Sequence, residues 1–474
     1  MGKKIVFAAL LFAAFTACDK DDSFSTSQSS RLTFETDTLT LDTVFSKTSS
    51  SGYTFWFFNN SGDGIRLSEV KLDKGNQTGF RVNVDGADLT SNGYKLTDLE
   101  LRKGDSIRVF VEYTPSETGM EDPQLMEDNL TFTLESGVRQ SVNLRAWAWD
   151  AITLNNAVVS NDSTINAGRP VVVYGGITVK EGATLTLAPG VTLYFHDDAG
   201  IDVYGTLIAE GTADSLVTLR CDRIDKMFNN LPYDLLSGRW QGITFHDTSF
   251  DNSLVYADIH SAINGIVAQD SLLSDKEKLY MYSSKVTNNS GYGVALANVR
   301  ASIINSLIAD AGTYCLYVGG GYTDINACTL AQFYYYSAER MAALYFEDTD
   351  ETPLGNFEVS NSIITGYSDD ELFFGSSEGR ENSQFKFDHC LINTPATDDE
   401  RMTDIIYEEE EDTTSAREKN FVKVNVEYRS DYHLSEVSKA INAGNAATMP
   451  IYDLEGKERE NADIGAYRYK QIEN

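Results

Sequence analysis

The sequence predicts an all-β chain: an N-terminal immunoglobulin-like β-sandwich over residues 31–150, a right-handed parallel β-helix of three short strands per coil over 151–420, and a closing cap over 421–474. Three observations carry this. Apolar residues in the middle of the chain come as i, i+2 pairs that recur every 22–26 residues, which is the period of strands and not of a helix. One small residue then recurs through five later segments. Ahead of both, short alternating runs separated by turn residues fill about 120 residues, the spacing of a sandwich.

The first 30 residues belong to none of these. Gly2-Lys3-Lys4 is a short basic start, and Ile5 to Ala17 is an uncharged, mostly apolar run of 13 residues. A membrane-spanning helix needs about 20, so the run has the length of a secretory leader. Phe15-Thr16-Ala17-Cys18 resembles a bacterial lipobox, which implies cleavage of 1–17 and acylation of Cys18, with 18–30 as anchor and tether. Asp19-Lys20-Asp21-Asp22 resembles the acidic signal that sends Bacteroidetes lipoproteins to the outer face of the outer membrane. In enterobacterial lipoproteins an Asp directly after the cysteine marks inner-membrane retention instead. The Lys-Asp-Asp cluster favours the surface reading.

In the sandwich segment, Tyr53 to Phe58 alternates, and "SIRVFVEYTP" puts Ile107, Val109, Val111 and Tyr113 on one face. "NLTFTLESGVRQSVNLRAWA" reads as a hairpin turning at Ser136-Gly137. About half of the Phe55/Trp56/Phe57/Phe58 cluster is expected in the core, with the outward half a candidate sugar platform. The segment resembles the Ig-like domains near the N-terminus of Bacteroidetes surface proteins.

In the β-helix, Ile177/Val179 map to Ile201/Val203, Leu185/Leu187 to Leu207/Ala209, and Val191/Leu193 to Val217/Leu219. Further on, "MYSSKVT", "IINSLIA", "INACTLA", "VSNSIIT" and "FDHCLIN" align on Ser284, Ser306, Cys328, Ser362 and Cys390, with steps of 22, 22, 34 and 28. The two longer steps carry outward insertions. A repeated coil with one tight inward position is a solenoid signature. Cys328 and Cys390 fall two coils apart, about 9–10 Å at the strand spacing and too far for a disulfide. Both read as buried, inert thiols, with His389 alternating to the opposite strand face. "GATLTLAPGVTLYF", "GTLIAEGTAD" and "WQGITF" resemble the opening coils of bacterial proteins of the pectate-lyase-like fold, and "DYHLSEVSKAINAGNAATMPIYDLEGKERENADIGAYRY" resembles their closing segment. There Asp453, Gly456, Arg459, Asp463 and Gly465 read as turn and cap residues, with Arg459 pairing Asp463.

Composition bounds the partners. A net charge of −33 repels nucleic acid and anionic surfaces. No cysteine sits in a zinc spacing, so no metal or other cofactor is expected, apart from Ca²⁺ if an acidic glycan is bound. The resemblance implies two kinds of enzyme: hydrolases with paired Asp and lyases with a Lys or Arg base. For the first, Asp197-Asp198 stands alone and reads as a turn. For the second, "RCDRIDK" gathers Arg220, Asp222, Arg223, Asp225 and Lys226 where the coil leaves its periodic path, before an insertion over about 222–238. Tyr334-Tyr335-Tyr336, in the 34-residue step, is the candidate glycan-binding patch, read as strand with one or two rings outward. The run Glu408 to Asp412 reads as a solvated loop. Asp-Ser/Thr-aliphatic triplets such as Asp42-Thr43-Val44 resemble a Bacteroidetes O-glycosylation sequon. The expected function is a lipoprotein held in the outer membrane by its N-terminal lipid, whose β-helix presents a face to a polysaccharide or another surface component without catalysis. The alternatives are a polysaccharide lyase or glycoside hydrolase, and a structural stalk or adhesin.

The N-terminal reading has a direct check. Cys18→Ala should abolish incorporation of labelled fatty acid. Replacing Asp21 and Asp22 by Asn should keep the label while protecting the protein from protease added to intact cells.

Overall fold

The computed structural model describes residues 23–228, 230–377, 382–408 and 417–471. Cys18 and Asp19 to Asp22 lie outside the described residues, as do four of the five residues of the Glu408–Asp412 run. The described chain is all-β and falls into two compact units, Met1–Asp150 and Ala151–Asn474.

The first unit is two sheets around one core. Thr33–Phe34, Tyr53–Phe58, Ser106–Tyr113, Phe80–Val84 and Ala87–Asp88 form one. Thr38–Phe45, Arg139–Trp149, Gln124–Leu134, Ile65–Leu72 and Lys95–Leu96 form the other, with Leu99–Leu101 also on Ile65–Leu72. Alternation decides which side chains reach the core. Ile107, Val109, Val111 and Tyr113 are all buried, with their neighbours exposed. The 124–134/139–149 hairpin closes around Gly137 at φ 84°. Phe55 and Phe57 are buried, and Phe57 meets Phe132 edge-on at 5.0 Å. Trp56 points outward beneath the Arg108 guanidinium.

In the second unit, strands pair in parallel with their counterparts one coil on, in three columns, an arrangement consistent with a parallel β-helix. The recurring pairs of the sequence are the register itself: Ile177 opposite Ile201, Leu185 opposite Leu207, Leu193 opposite Leu219. The middle column is a ten-stranded sheet. The first and third merge into one of 18 strands because Val171–Val179 serves both. Its start pairs with Thr192–Phe195 and its end with Ile201–Val203, and Gly175 and Gly176 at φ 62° and 88° make the bend between. The inward side chains form one continuous core.

Ser284, Ser306, Cys328, Ser362 and Cys390 are fully buried in the bend between the middle and third columns. The residue before each is left-handed: Ser283, Asn305, Ala327, Asn361 and His389 have φ between 47° and 55°. His389 therefore sits at a bend, and not at the alternate position of a strand as expected. Its ring turns to Asp388 and Asp404. All four described cysteines are buried free thiols, and burial pushes Cys328 and Cys390 up to about 12.

Residues 421–471 differ from the expected end cap. Phe421, Leu434, Leu454, Ile464 and Ala466 pack against Leu307, Ala309, Ala331, Ile363 and Leu391, the outward side chains of the third column. The reason is that these rungs are apolar on both faces, so the outer one also needs cover. The segment lies along the flank of the coils. Arg459 donates to the carbonyls of Asp463, Gly465 and Ala466 and to Asn305 Oδ1, and so bonds the backbone of Asp463 where a carboxylate pair was expected. The Asp463 carboxylate instead accepts the N–H groups of Asn442 and Tyr469.

Because the Ser306 hydroxyl accepts the buried Ser284 N–H, Ser306→Ala should cost about 1–3 kcal/mol, read as a lower urea midpoint. Ser306→Cys, matching the thiols of later coils, should cost less.

Candidate functional site

A cleft of about 490 Å³ opens on the outer side of the third column. Its floor is set by register. Asp258 and His260 of Ala257–His260 lie beside Lys285 and Thr287 of Lys285–Asn289, which lie beside Leu307 and Ala309 of Leu307–Ala311. The next residue in each of these coils, Ser261, Asn288 and Asp310, is left-handed, with φ of 65°, 56° and 56°. Four segments wall the floor: the insertion through Asp234 and Leu235, the loop through Tyr334 to Tyr336, the hairpin of Phe421–Val426 and Arg429–Leu434, and the C-terminal stretch through Glu455 and Tyr467.

Specific bonds tie the walls to the floor and to one another. His260 bonds Asp258 through Nδ1 and Asp234 through Nε2, each at 2.8 Å. Arg220 reaches Asp234 at 2.8 Å. Ser237 and Tyr334 hydroxyls meet at 2.6 Å, and the Tyr336 hydroxyl donates to the Leu235 carbonyl at 2.7 Å. The Tyr432 hydroxyl donates to Asp310 at 2.7 Å, and Asn425 donates to the Phe333 carbonyl.

Burial opposes the charge on His260, Asp234, Asp258 and Asp310, and the outcome depends on the partner. At His260 burial works against protonation, but Asp258 and Asp234 outweigh it and push the imidazole up to about 10. Asp234 and Asp258 resist burial through His260 and are held below the usual carboxylate range, helped by Arg220 and Lys285 respectively. At Asp310 burial wins over the Tyr432 bond and the carboxyl rises to about 7.

The two regions singled out from the sequence meet here, though through other residues in one case. The Tyr334–Tyr336 run is a loop after Thr329–Gln332, not strand. Tyr334 is buried, while Tyr335 and Tyr336 are 58% and 38% exposed. Both exposed rings touch Tyr428 of the hairpin. The basic and acidic set before the insertion acts as its fastening. Arg223 clamps the buried Asp225 at 2.8 and 2.7 Å and lies over Tyr233. Asp222 takes His196 Nδ1 at 2.7 Å. Lys226 is exposed in the small hairpin of Lys226–Phe228 and Leu231–Pro232. A lyase base must be able to give up its proton, and Arg223 is driven the other way, its burial outweighed by Asp225.

Asp197 and Asp198 are exposed in a turn, with Asp197 at φ 43°. Glu408 is buried and accepts from Thr365 and Asn420. Asp388, His389 and Asp404 converge within 4.8 Å, but Asp388 already accepts from Thr403 and Asn445. On the outer face of the first column, Tyr317 and Tyr345 stack on one another and both donate to Glu347. Sequence reasoning missed His260, Asp310, Tyr428 and Tyr432. For the first two there was a signal: each is the outward or bend position of a repeat whose equivalents are predictable.

His260 ties wall to floor, so His260→Gln should lower the melting temperature. The sign of its pH dependence follows from its raised value. The stabilisation is complete below about 6.5 and is lost as pH rises through about 10, so the gap between wild type and variant should narrow over that window in melts taken from pH 6 to 10.

No protein-family model matches the chain, and no curated protein does. Among solved structures, a family 123 glycoside hydrolase from Clostridium perfringens aligns with 25% of this chain at 7% identity and a TM-score of 0.18, so the chain spans about a quarter (26%) of that protein. The ASH / PapD-like domain of human CEP192 aligns with 28% of this chain and 92% of its own at 10% identity, also with a TM-score of 0.18. At that similarity neither bears on the fold or the chemistry.

Proposed function

We propose that this protein is a surface lipoprotein, anchored through Cys18, in which an immunoglobulin-like sandwich precedes a right-handed, pectate-lyase-like β-helix that binds a glycan in the cleft on its third column. The observation that carries this reading is the cluster of Tyr335, Tyr336 and Tyr428, in contact with one another, in a cleft also lined by hydrogen-bonding groups. Sugar rings present an apolar face and a hydroxyl edge, and aromatic rings beside polar groups match both. Binding without bond cleavage fits the engagement of Arg220, Arg223, Asp222 and Asp225 in ion pairs.

The test is a glycan array followed by titration of any ligand found. Tyr335→Ala, a change in an exposed loop ring, should weaken binding by about tenfold or more, the scale of an aromatic anchor, with an unchanged melting temperature. Retained binding in that variant would move the site away from the cleft. Release of unsaturated uronate from an acidic glycan, lost in Lys226→Ala, would establish the lyase reading instead.

A further inference from the structure

The cleft is richer in acids than in bases. Asp234, Asp258, Asp310, Asp431 and Glu455 line it, against His260, Lys285, Arg429 and His433. Both histidines are already paired, and the other two bases act on nearby acids. His260 is held by two carboxylates. Lys285 lies near enough to Asp258 and Asp431 to draw both down. His433 bonds Asp431 at 2.6 Å and faces Glu455 at 3.4 Å, and Arg429 acts on Asp234. An anionic sugar would enter against five carboxyl groups, with both histidines already held by acids.

Asp310 stands apart from the other four. Each of those has a basic neighbour. Asp310 has the Tyr432 hydroxyl and the Phe333 backbone. The titratable groups that act on it or feel it from the surrounding elements are Tyr432 of the hairpin, Tyr336 of the loop, Tyr367 and Cys315, none of them cationic. It is also out of keeping with its own repeat: the two preceding coils place the neutral side chains of Ser261 and Asn288 in the same left-handed conformation. Asp310 nevertheless remains part of the cleft lining, where a ligand reaches it.

We propose that the cleft takes an uncharged glycan and that Asp310, which lines it without a basic neighbour, binds a proton as the sugar covers it. The inference rests on the glycan reading above. Covering the carboxyl removes its remaining water and leaves no cation to replace it, so the ionised form is disfavoured in the complex. Its protonated oxygen then donates to a sugar oxygen, while the Tyr432 hydroxyl continues to donate to the carboxyl. Burial already brings Asp310 up to about 7 before any ligand arrives, so the effect falls near neutral pH.

Calorimetric titration of the full chain with neutral hexasaccharides (cello-, xylo-, malto- and manno-series) and with oligogalacturonate and a sulfated heparin fragment tests this. A neutral probe should bind, with a Kd that is flat below about pH 7 and rises by up to about tenfold per pH unit above it. Buffers of different ionisation enthalpy should report uptake of up to about one proton at pH 7.5. Asp310→Asn, the side chain of Asn288 one coil earlier, should still bind but without the pH dependence or the proton uptake. Preference for an acidic probe, neutral binding without uptake in the wild type, or unchanged uptake in Asp310→Asn would overturn the proposal. The buffer comparison on wild type decides it even if the variant does not fold. Binding of no probe would overturn the cleft reading itself, a different outcome from binding without proton linkage.

Discussion

One bend, repeated, holds the second unit in register. Between the middle and third columns the chain must turn within two residues, one left-handed and one pointing into the core. The left-handed residue gives its N–H to the following coil: Ser283 to Ile304, Asn305 to Asn326, Ala327 to Ser360, Asn361 to Asp388. The inward residue must be small, and its N–H also needs an acceptor, which the next coil supplies as a side chain: Ser284 to Ser306 Oγ, and Cys328 to Ser362 Oγ. A buried N–H left unmade is costly, so each coil fixes the position of the next. With the bends aligned, every strand after them is aligned too.

That alignment sets where chemistry is placed. A coil can lengthen only outside its three strands, so extra residues emerge as loops. The long insertion before Ile243 and the loop at Tyr334 to Tyr336 both follow third-column strands, and both are brought to the same flank. The flank is apolar further along, at Ala331, Ile363 and Leu391, and the C-terminal segment folds back to cover it. The cleft lies where the insertions, the outward polar rungs Asp258 to Thr287 and the returning hairpin meet. Two of its acids attach walls: Asp234 joins the insertion to His260, and Asp310 receives the hairpin through Tyr432.

The sequence carried the coil register because that register is a local, repeated pattern. Ile177/Val179 and Ile201/Val203 could be paired by eye, and the steps through Ser284 to Cys390 reproduce the observed pairing of Lys285 with Leu307, Thr329, Ile363 and Leu391. The alternation of Ile107 to Tyr113 was equally legible. What was less legible was one-off. The Tyr334–Tyr336 run lies in a step longer than a bare coil but was read as strand, and "RCDRIDK" left an ion-paired loop and a catalytic set side by side because both draw on the same residue types.

By itself, then, the sequence determined the strand period, the coil length and the one tight position in each coil, because a packed repeat must write its constraint into every repeat. Only the tertiary structure decided the site. Asp234, His260, Asp310, Tyr336, Tyr428 and Tyr432 span almost 200 residues and belong to no common period. They meet because the coils stack in register and because the C-terminal segment returns along an apolar flank, where an end cap was the expectation. That return depends on which outward rungs happen to be apolar, a property of the assembled surface that no single stretch of the chain displays.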